Sequence, residues 1–195
     1  MRLVINLVLL AIIGFLLYAV VGTIREPILF KSEKERRERV VVEKLRKIRT
    51  AQEAYRDITG EFAPNFDTLS YVLENGQFKV VQVFGDPDDP NFQGEITYDT
   101  LYVAARDTML KTLGVADFHE LARVPFGEGA EFEINAEIID YQKSKVPVVE
   151  VGVQRKVFMG RFGDPKFRRF DQRFDPESLL KFGNMFSPNL SGNWE

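Results

Sequence analysis

The chain has 195 residues with 26 basic and 29 acidic side chains, a single histidine and no cysteine. The formal net charge of −3 argues against a body that binds nucleic acid, and the missing cysteines exclude disulfides and thiolate metal sites. The length suffices for one ordinary domain or two small ones, and the composition is compatible with either side of a membrane.

The first segment of the chain is strongly apolar. No charged residue occurs from Leu3 to Ile24, and these 22 residues in a helix would extend about 33 Å, slightly more than a hydrocarbon core of about 30 Å. The run predicts an uncleaved transmembrane anchor over residues 1–26, in preference to a cleaved signal peptide or a buried core helix. Gly14 and Gly22 are candidate positions for close packing of this helix against a partner.

The orientation of the predicted anchor and the location of the body are inferred from the charges that flank the apolar run and from three short motifs. Only Arg2 precedes it, and mixed basic and acidic residues follow it, so charge alone does not fix the orientation. Three triplets, Asp-Thr-Leu twice and Asp-Thr-Met once, resemble the acceptor motif of a bacterial O-glycosylation system that acts outside the cytoplasm. The resemblance implies glycosylation at Thr68, Thr100 and Thr108, whereas a helix cap at Asp67 and strand or turn ends at the other two triplets are the structural alternative. The expected location is the bacterial inner membrane, single-pass, with the lipid bilayer as a partner and a periplasmic C-terminal body.

Residues 27–76 are predicted to form a helical stalk. Pro27 is expected to break the first helix, and the Ser32–Glu35 pair has the spacing of a capping box that starts a second one. This second helix is predicted to continue to about Ile58 with one apolar stripe, spaced at helical intervals. The stripe consists of Val41, Leu45, Ile48, Ala51, Tyr55 and Ile58.

Two further signals complete the stalk. Thr59-Gly60 is expected to end the long helix, and a short helix is predicted from Asp67 to a left-handed C-cap at Asn75-Gly76.

Residues 1–76 resemble type IV pilins and pseudopilins. The resemblance lies in the apolar start, in Ala51-Gln52-x-x-Tyr55 and in Gly60-x-Phe62. The resemblance implies one long helix that anchors a small β-sheet head. The acidic residue that guides docking of pilin subunits does not occur between Met1 and Arg25.

Residues 77–160 are predicted to form a β-rich body. Strands are expected at Phe78–Phe84 and Ile96–Ala105, and the oxygen-rich turn at 85–94 is interpreted as solvated rather than as a calcium site. A second hairpin with a turn at Gln142–Lys145 alternates apolar and acidic positions. The predicted fold class is therefore α+β, with a transmembrane helix, a helical stalk and an antiparallel β-sheet in an extracytoplasmic body. The apolar positions of the second hairpin are Phe132, Ile134, Ala136, Ile138, Val149, Val151, Val153 and Val157.

The last segment, residues 161–195, combines aromatic and basic side chains without regular periodicity, apart from a short helix predicted at Pro176–Phe182. One interpretation is that its rings are buried on the chain's own domain. The other is an arm that binds a partner, because aromatic and arginine side chains are frequent interface anchors. The candidate partner-binding residues are Phe162, Phe167, Arg168, Arg169, Phe170, Phe174 and Trp194.

The sequence contains no motif of a catalytic or cofactor site. His119, on a short helix that Asp117 is expected to cap, is the only histidine, and no Gly-x-Ser-x-Gly elbow or phosphate-binding glycine loop occurs. The predicted function is a non-enzymatic structural or accessory subunit of a bacterial envelope complex for secretion, motility or transport. It needs no cofactor or metal, and its partners are other envelope proteins rather than nucleic acid. A tethered module that binds glycan, peptidoglycan or a small ligand is the alternative, and an enzyme that uses only carboxylates is a third.

Overall fold

The computed structural model describes residues 2–84 and 97–195, with side-chain surroundings for all of these except residues 17, 19, 21, 22, 83 and 84. Helices and antiparallel strands are combined in an α+β fold. Three short 3₁₀ helices, Phe118–Leu121, Gly160–Gly163 and Pro165–Arg169, connect the longer elements. In chain order these longer elements are α1 (Arg2–Thr59), α2 (Phe66–Asn75), β1 (Gln77–Phe84), β2 (Thr97–Ala104), α3 (Ala105–Leu113), β3 (Glu133–Tyr141), β4 (Ser144–Gln154), α4 (Arg155–Met159) and β5 (Leu179–Gly183).

α1 is one continuous helix of 58 residues with Pro27 in its interior. The predicted break at Pro27 and the predicted new start at Ser32 are therefore wrong. The Ser32 hydroxyl donates to the carbonyl of Leu29 at 3.1 Å, a bond that serine makes inside a helix rather than at a cap. A proline removes one backbone donor, but the helix continues because Phe30, three residues later, is fully buried and fixes the following turns on the body.

The apolar run at the start of α1 does not form a helix of its own, because the same helix continues into the charged residues that follow Ile24. Across the described residues, no helix has both the length and the apolarity needed to cross a membrane. This finding overturns the prediction of a transmembrane anchor over residues 1–26. The single-pass topology, the inner-membrane location and the periplasmic placement of the body were inferred from that anchor and are corrected with it.

The second half of α1 provides one side of the core, as the apolar stripe predicted. Ile58 is half-buried, and the other stripe positions are at most 8% exposed. The helix ends where Thr59-Gly60 predicted: Gly60 has a φ of +89°, and its N–H donates to the carbonyl of Arg56 at 2.7 Å. The buried stripe residues are Val41, Leu45, Ile48, Ala51 and Tyr55.

α2 begins and ends slightly differently from the prediction. Its N-cap is Asn65, whose side-chain oxygen accepts from the N–H of Thr68 at 2.8 Å, so Asp67 lies in the first turn and is not the cap. Gly76 ends the helix in an extended conformation with φ −79°, not in the left-handed conformation predicted. Glycine is still needed there, because an added Cβ would lie 2.5 Å from the carbonyl oxygen of Val72.

The strands form two antiparallel sheets in the described residues, one of β1 and β2 and one of β3, β4 and β5. β1 and β2 pair in register from Gln77 opposite Ala104 to Phe84 opposite Thr97, within one residue of the predicted strands. Their connection, including the predicted solvated turn at 85–94, lies outside the described residues.

The β3–β4 hairpin has a tighter turn than predicted. Tyr141 pairs with Ser144, so only Gln142 and Lys143 form the turn, with φ of 48° and 70°. Positive φ at both positions is the requirement of a type I′ turn. Of the predicted apolar positions, Val157 lies in α4, Ile138 is 49% exposed, and the others are buried or half-buried.

β5 replaces the helix that was predicted at Pro176–Phe182. Leu180 pairs with Val153 and Phe182 pairs with Val151 of β4, and all four side chains are buried. Because a strand places alternate residues on one face, this pairing buries both β5 side chains in the core, and tertiary pairing outweighs the local helical pattern. One hydrophobic core thus includes residues of the predicted stalk, body and C-terminal arm.

Candidate interaction site

The single histidine of the chain lies at the surface. His119 is exposed on a 3₁₀ helix, and its N–H donates to the Asp117 carboxylate at 2.9 Å, as the predicted cap requires. Within residues 2–84 and 97–195, no group of three or more His, Asp or Glu is arranged to hold a metal ion. The oxygen-rich turn lies outside these ranges.

The aromatic rings of the C-terminal segment pack around Phe30 of α1. The Phe30 and Phe167 rings are stacked with centroids 5.7 Å apart, and the Phe174 ring meets Phe30 edge-on at 5.1 Å. Phe162, Phe167 and Phe174 are at most 4% exposed. These three rings are therefore not available as partner anchors, because the chain's own helix covers them.

The other predicted partner-binding residues are less buried. Phe170 and Trp194 are half-buried against the core, whereas Arg168 and Arg169 are exposed. Arg169 donates to the Glu26 carboxylate at 2.9 Å and thus links the C-terminal segment to α1. The structure therefore separates the predicted set into rings that hold the fold together and cations at the surface.

Polar contacts attach the charged part of α1 to the C-terminal segment and to α4. Lys34 donates to the Asp171 carboxylate at 2.7 Å, and this hydrogen bond is the main reason that the pKa of Asp171 is lowered. Arg155 reaches Glu38 at 3.0 Å, and Arg37 donates to the carbonyl of Phe158 at 2.7 Å. The charged part of α1 is thus held on the body from both α4 and the C-terminal segment.

A groove lies where α1 leaves the body. It has a volume of about 490 Å³ and is formed by one stretch of α1 and by the two 3₁₀ helices at 160–169. Two cavities beside the three-stranded sheet are smaller, about 210 and 160 Å³. The sequence indicated the groove only through the density of basic residues in the C-terminal segment. Its lining residues are Tyr18, Arg25, Glu26, Leu29, Arg161, Phe162, Lys166 and Phe167.

The first half of α1 is an exposed apolar surface. Leu3 is 74% exposed, Leu10 71% and Phe15 70%. Gly14 is open to its surroundings, since an added Cβ there would have no other atom within 4 Å. The surroundings of Gly22, the second predicted packing position, are not among those described.

A second exposed apolar surface is the β1–β2 hairpin. Every described side chain of β2 is exposed, including Tyr98 at 68% and Tyr102 at 65%. Val80 and Leu101 face each other across the strands on the opposite face and are both 41% exposed. The hairpin thus presents apolar side chains on both of its faces.

The predicted glycosylation residues are all in regular secondary structure. Thr68 is half-buried in the first turn of α2, Thr100 is exposed in the middle of β2, and Thr108 is exposed in α3. The strand or turn ends expected as the structural alternative are not observed for Thr100 and Thr108. Glycosylation stays a prediction from the triplets.

No protein-family model, curated protein or solved structure shows significant similarity to this chain. The resemblance to type IV pilins stays a prediction from residues 1–76. The function is therefore argued from the surfaces of the chain itself.

Proposed function

We propose that the chain is a non-enzymatic structural or accessory subunit of a multiprotein assembly, in which residues 3–16 of α1 pack against helices of neighbouring subunits. The single observation that carries this proposal is the exposure of an apolar half-helix on a chain that has a complete core elsewhere. A helix that is apolar on all sides is stable only when other apolar groups cover it. Exposed apolar surface of this extent marks an interaction site.

Gly14 supports helix packing as the mode of contact. A residue without a side chain lets two helix backbones approach closely, and the space beside Gly14 is open. The resemblance to type IV pilins supports the same proposal, because those proteins also combine one long helix with a β-sheet head. Since no acidic residue occurs in the apolar run, the contact would depend on apolar packing rather than on a buried charge.

The β1–β2 hairpin supports a second contact in the same assembly. An isolated two-stranded hairpin is marginally stable in water, and within the described residues β1 and β2 pair only with each other. Its exposed Tyr98 and Tyr102 are the residue type that is enriched at protein interfaces.

The proposal is tested by isolating the native complex in a mild non-ionic detergent and measuring its mass and subunit stoichiometry by native mass spectrometry. We expect wild-type chain in a stoichiometric complex. Gly14→Leu should dissociate that complex without lowering the stability of the monomer, because a Cβ at this position has no atom within 4 Å apart from its chain neighbours and its own helix backbone.

Ile12→Phe is the matched control. Ile12 lies about 200° around the helix from Gly14, and this substitution also enlarges the side chain. It should leave the complex intact. Recovery of the wild-type chain only as a monomer would contradict the proposal, and so would an intact complex with Gly14→Leu.

A further inference from the structure

The groove where α1 leaves the body carries an excess of positive charge. Arg25, Arg161 and Lys166 line it together with one carboxylate, Glu26, which already accepts from Arg169 at 2.9 Å. Lys166 lies 3.6 Å from the Asp164 carboxylate at the surface, whereas Arg25 and Arg161 form no ion pair among the described residues. An anion that enters the groove therefore meets cations whose charge is not fully compensated.

On the C-terminal side of the groove, two cations lie over buried aromatic rings. The Arg161 guanidinium lies 4.5 Å from the centroid of the Phe162 ring, and the Lys166 ammonium lies 5.1 Å from that of Phe167. Both rings are at most 4% exposed and pack against Phe30. Because the rings are fixed in the core, they limit the movement of the cations above them, and less entropy is lost when a ligand binds.

The opposite wall of the groove, formed by α1, adds apolar surface beside Arg25 and Glu26. Tyr18 is 80% exposed and Leu29 is 45% exposed, and both lie on α1. Beyond Tyr18 toward the N-terminus, the helix has no charged residue as far as Leu3. A ligand that fits both walls therefore combines an anionic group with an adjoining apolar part.

We propose that this groove binds the phosphate group of an anionic amphiphile such as a phospholipid, with the apolar part of the ligand along α1 between Tyr18 and Leu29. Phosphate suits the site because Arg and Lys both donate to its oxygens and compensate its charge. An acidic peptide would use the cations but would leave the apolar wall uncovered. The inference is independent of the assembly proposed above, since its residues line the groove rather than surround Gly14.

Binding is tested with the full chain in non-ionic detergent, titrated with mixed micelles that contain phosphatidylglycerol or phosphatidylcholine, and separately with inorganic phosphate. We expect preferential binding to phosphatidylglycerol micelles. The double variant Arg161→Gln/Lys166→Gln should weaken that binding roughly 30-fold, the combined effect of two basic residues at an anionic lipid surface. The charge-retaining variant Arg161→Lys/Lys166→Arg should keep most of the affinity, and thermal unfolding should show that both variants fold.

The matched control is Arg106→Gln/Lys111→Gln, which removes one arginine and one lysine from the exposed side of α3. It should change the affinity by less than about twofold, since surface charges at a distance are screened. An equal loss in this control, equal binding of the two lipids, or equally tight binding of polyglutamate would overturn the proposal. Full displacement of the lipid by an equal concentration of inorganic phosphate would also overturn it.

Discussion

The two halves of α1 have the same backbone conformation but opposite surroundings. Residues 3–24 carry no charge and, where their surroundings are described, are exposed, whereas residues 30–59 alternate between a buried stripe and a charged face. Phe15 is 70% exposed, and Phe30, about four turns later, is fully buried. Both halves are helical, but only the second is covered within the monomer, so the two rings contribute very differently to its stability.

The difference arises because the C-terminal segment covers the start of the second half and meets the first half only near its end, where Arg169 pairs with Glu26. The rings of the segment surround Phe30, its Asp171 pairs with Lys34, and Arg155 of α4 pairs with Glu38. The first half is left for contacts outside the monomer, which is why the assembly is proposed there.

Phe30→Ala should lower the free energy of unfolding by about 3–5 kcal/mol, because it leaves a cavity among four packed rings. The same substitution at Phe15 should change the monomer by no more than about 0.5 kcal/mol, because that ring is exposed. Urea denaturation followed by far-UV circular dichroism measures both. Equal losses at the two positions would show that the first half is also packed in the monomer.

Pro27→Ala should stabilise the junction of the two halves locally by about 3 kcal/mol, since alanine restores a helical backbone donor. Hydrogen exchange of the amides around residues 24–31 should slow accordingly. The global free energy of unfolding should change much less, because the first half lies outside the core. A global increase as large as the local one would mean that the two halves unfold together.

Gln52→Leu should cost about 2 kcal/mol, because it leaves two buried backbone groups of Ala63 without a partner. In the wild-type chain the Gln52 side chain accepts from the Ala63 N–H at 2.9 Å and donates to the Ala63 carbonyl at 3.2 Å. Gln172→Leu, at an exposed position, is the control and should be nearly neutral. Comparable urea midpoints for the two variants would refute the role assigned to Gln52.

Asp171→Asn should cost about 1 kcal/mol at neutral pH through the lost pair with Lys34. Since the pKa of Asp171 is lowered in the folded chain, its contribution is present above the unfolded value of 3.8 and is lost as the pH falls through the folded value. The stability difference between wild type and variant should therefore decrease below about pH 4. Thermal melts between neutral and acid pH measure it, and a difference that stays constant would exclude this pair as the cause.

Local patterns predicted much of the fold. The 3- and 4-residue spacing of the stripe, the Thr59-Gly60 stop and the strands of both hairpins agree with the structure, because each depends on neighbours along the chain. Two predictions were wrong. No helix begins at Ser32, because α1 continues through this residue. Pro176–Phe182 does not form a helix, because pairing with the edge of β4 outweighs its local helical preference. The groove was not predictable, since its two walls are more than 130 residues apart in sequence.

The positions of the apolar, charged and alternating residues follow from the sequence alone, and so does the exclusion of cysteine chemistry. Which of the apolar residues are covered depends on the folded chain. Phe30 and Phe15 have the same side chain in the same helix, yet the C-terminal rings return to one of them and not to the other. Burial is a property of contacts between distant segments, and for this reason the apolar half-helix and the basic groove became recognisable as surfaces only in the folded chain.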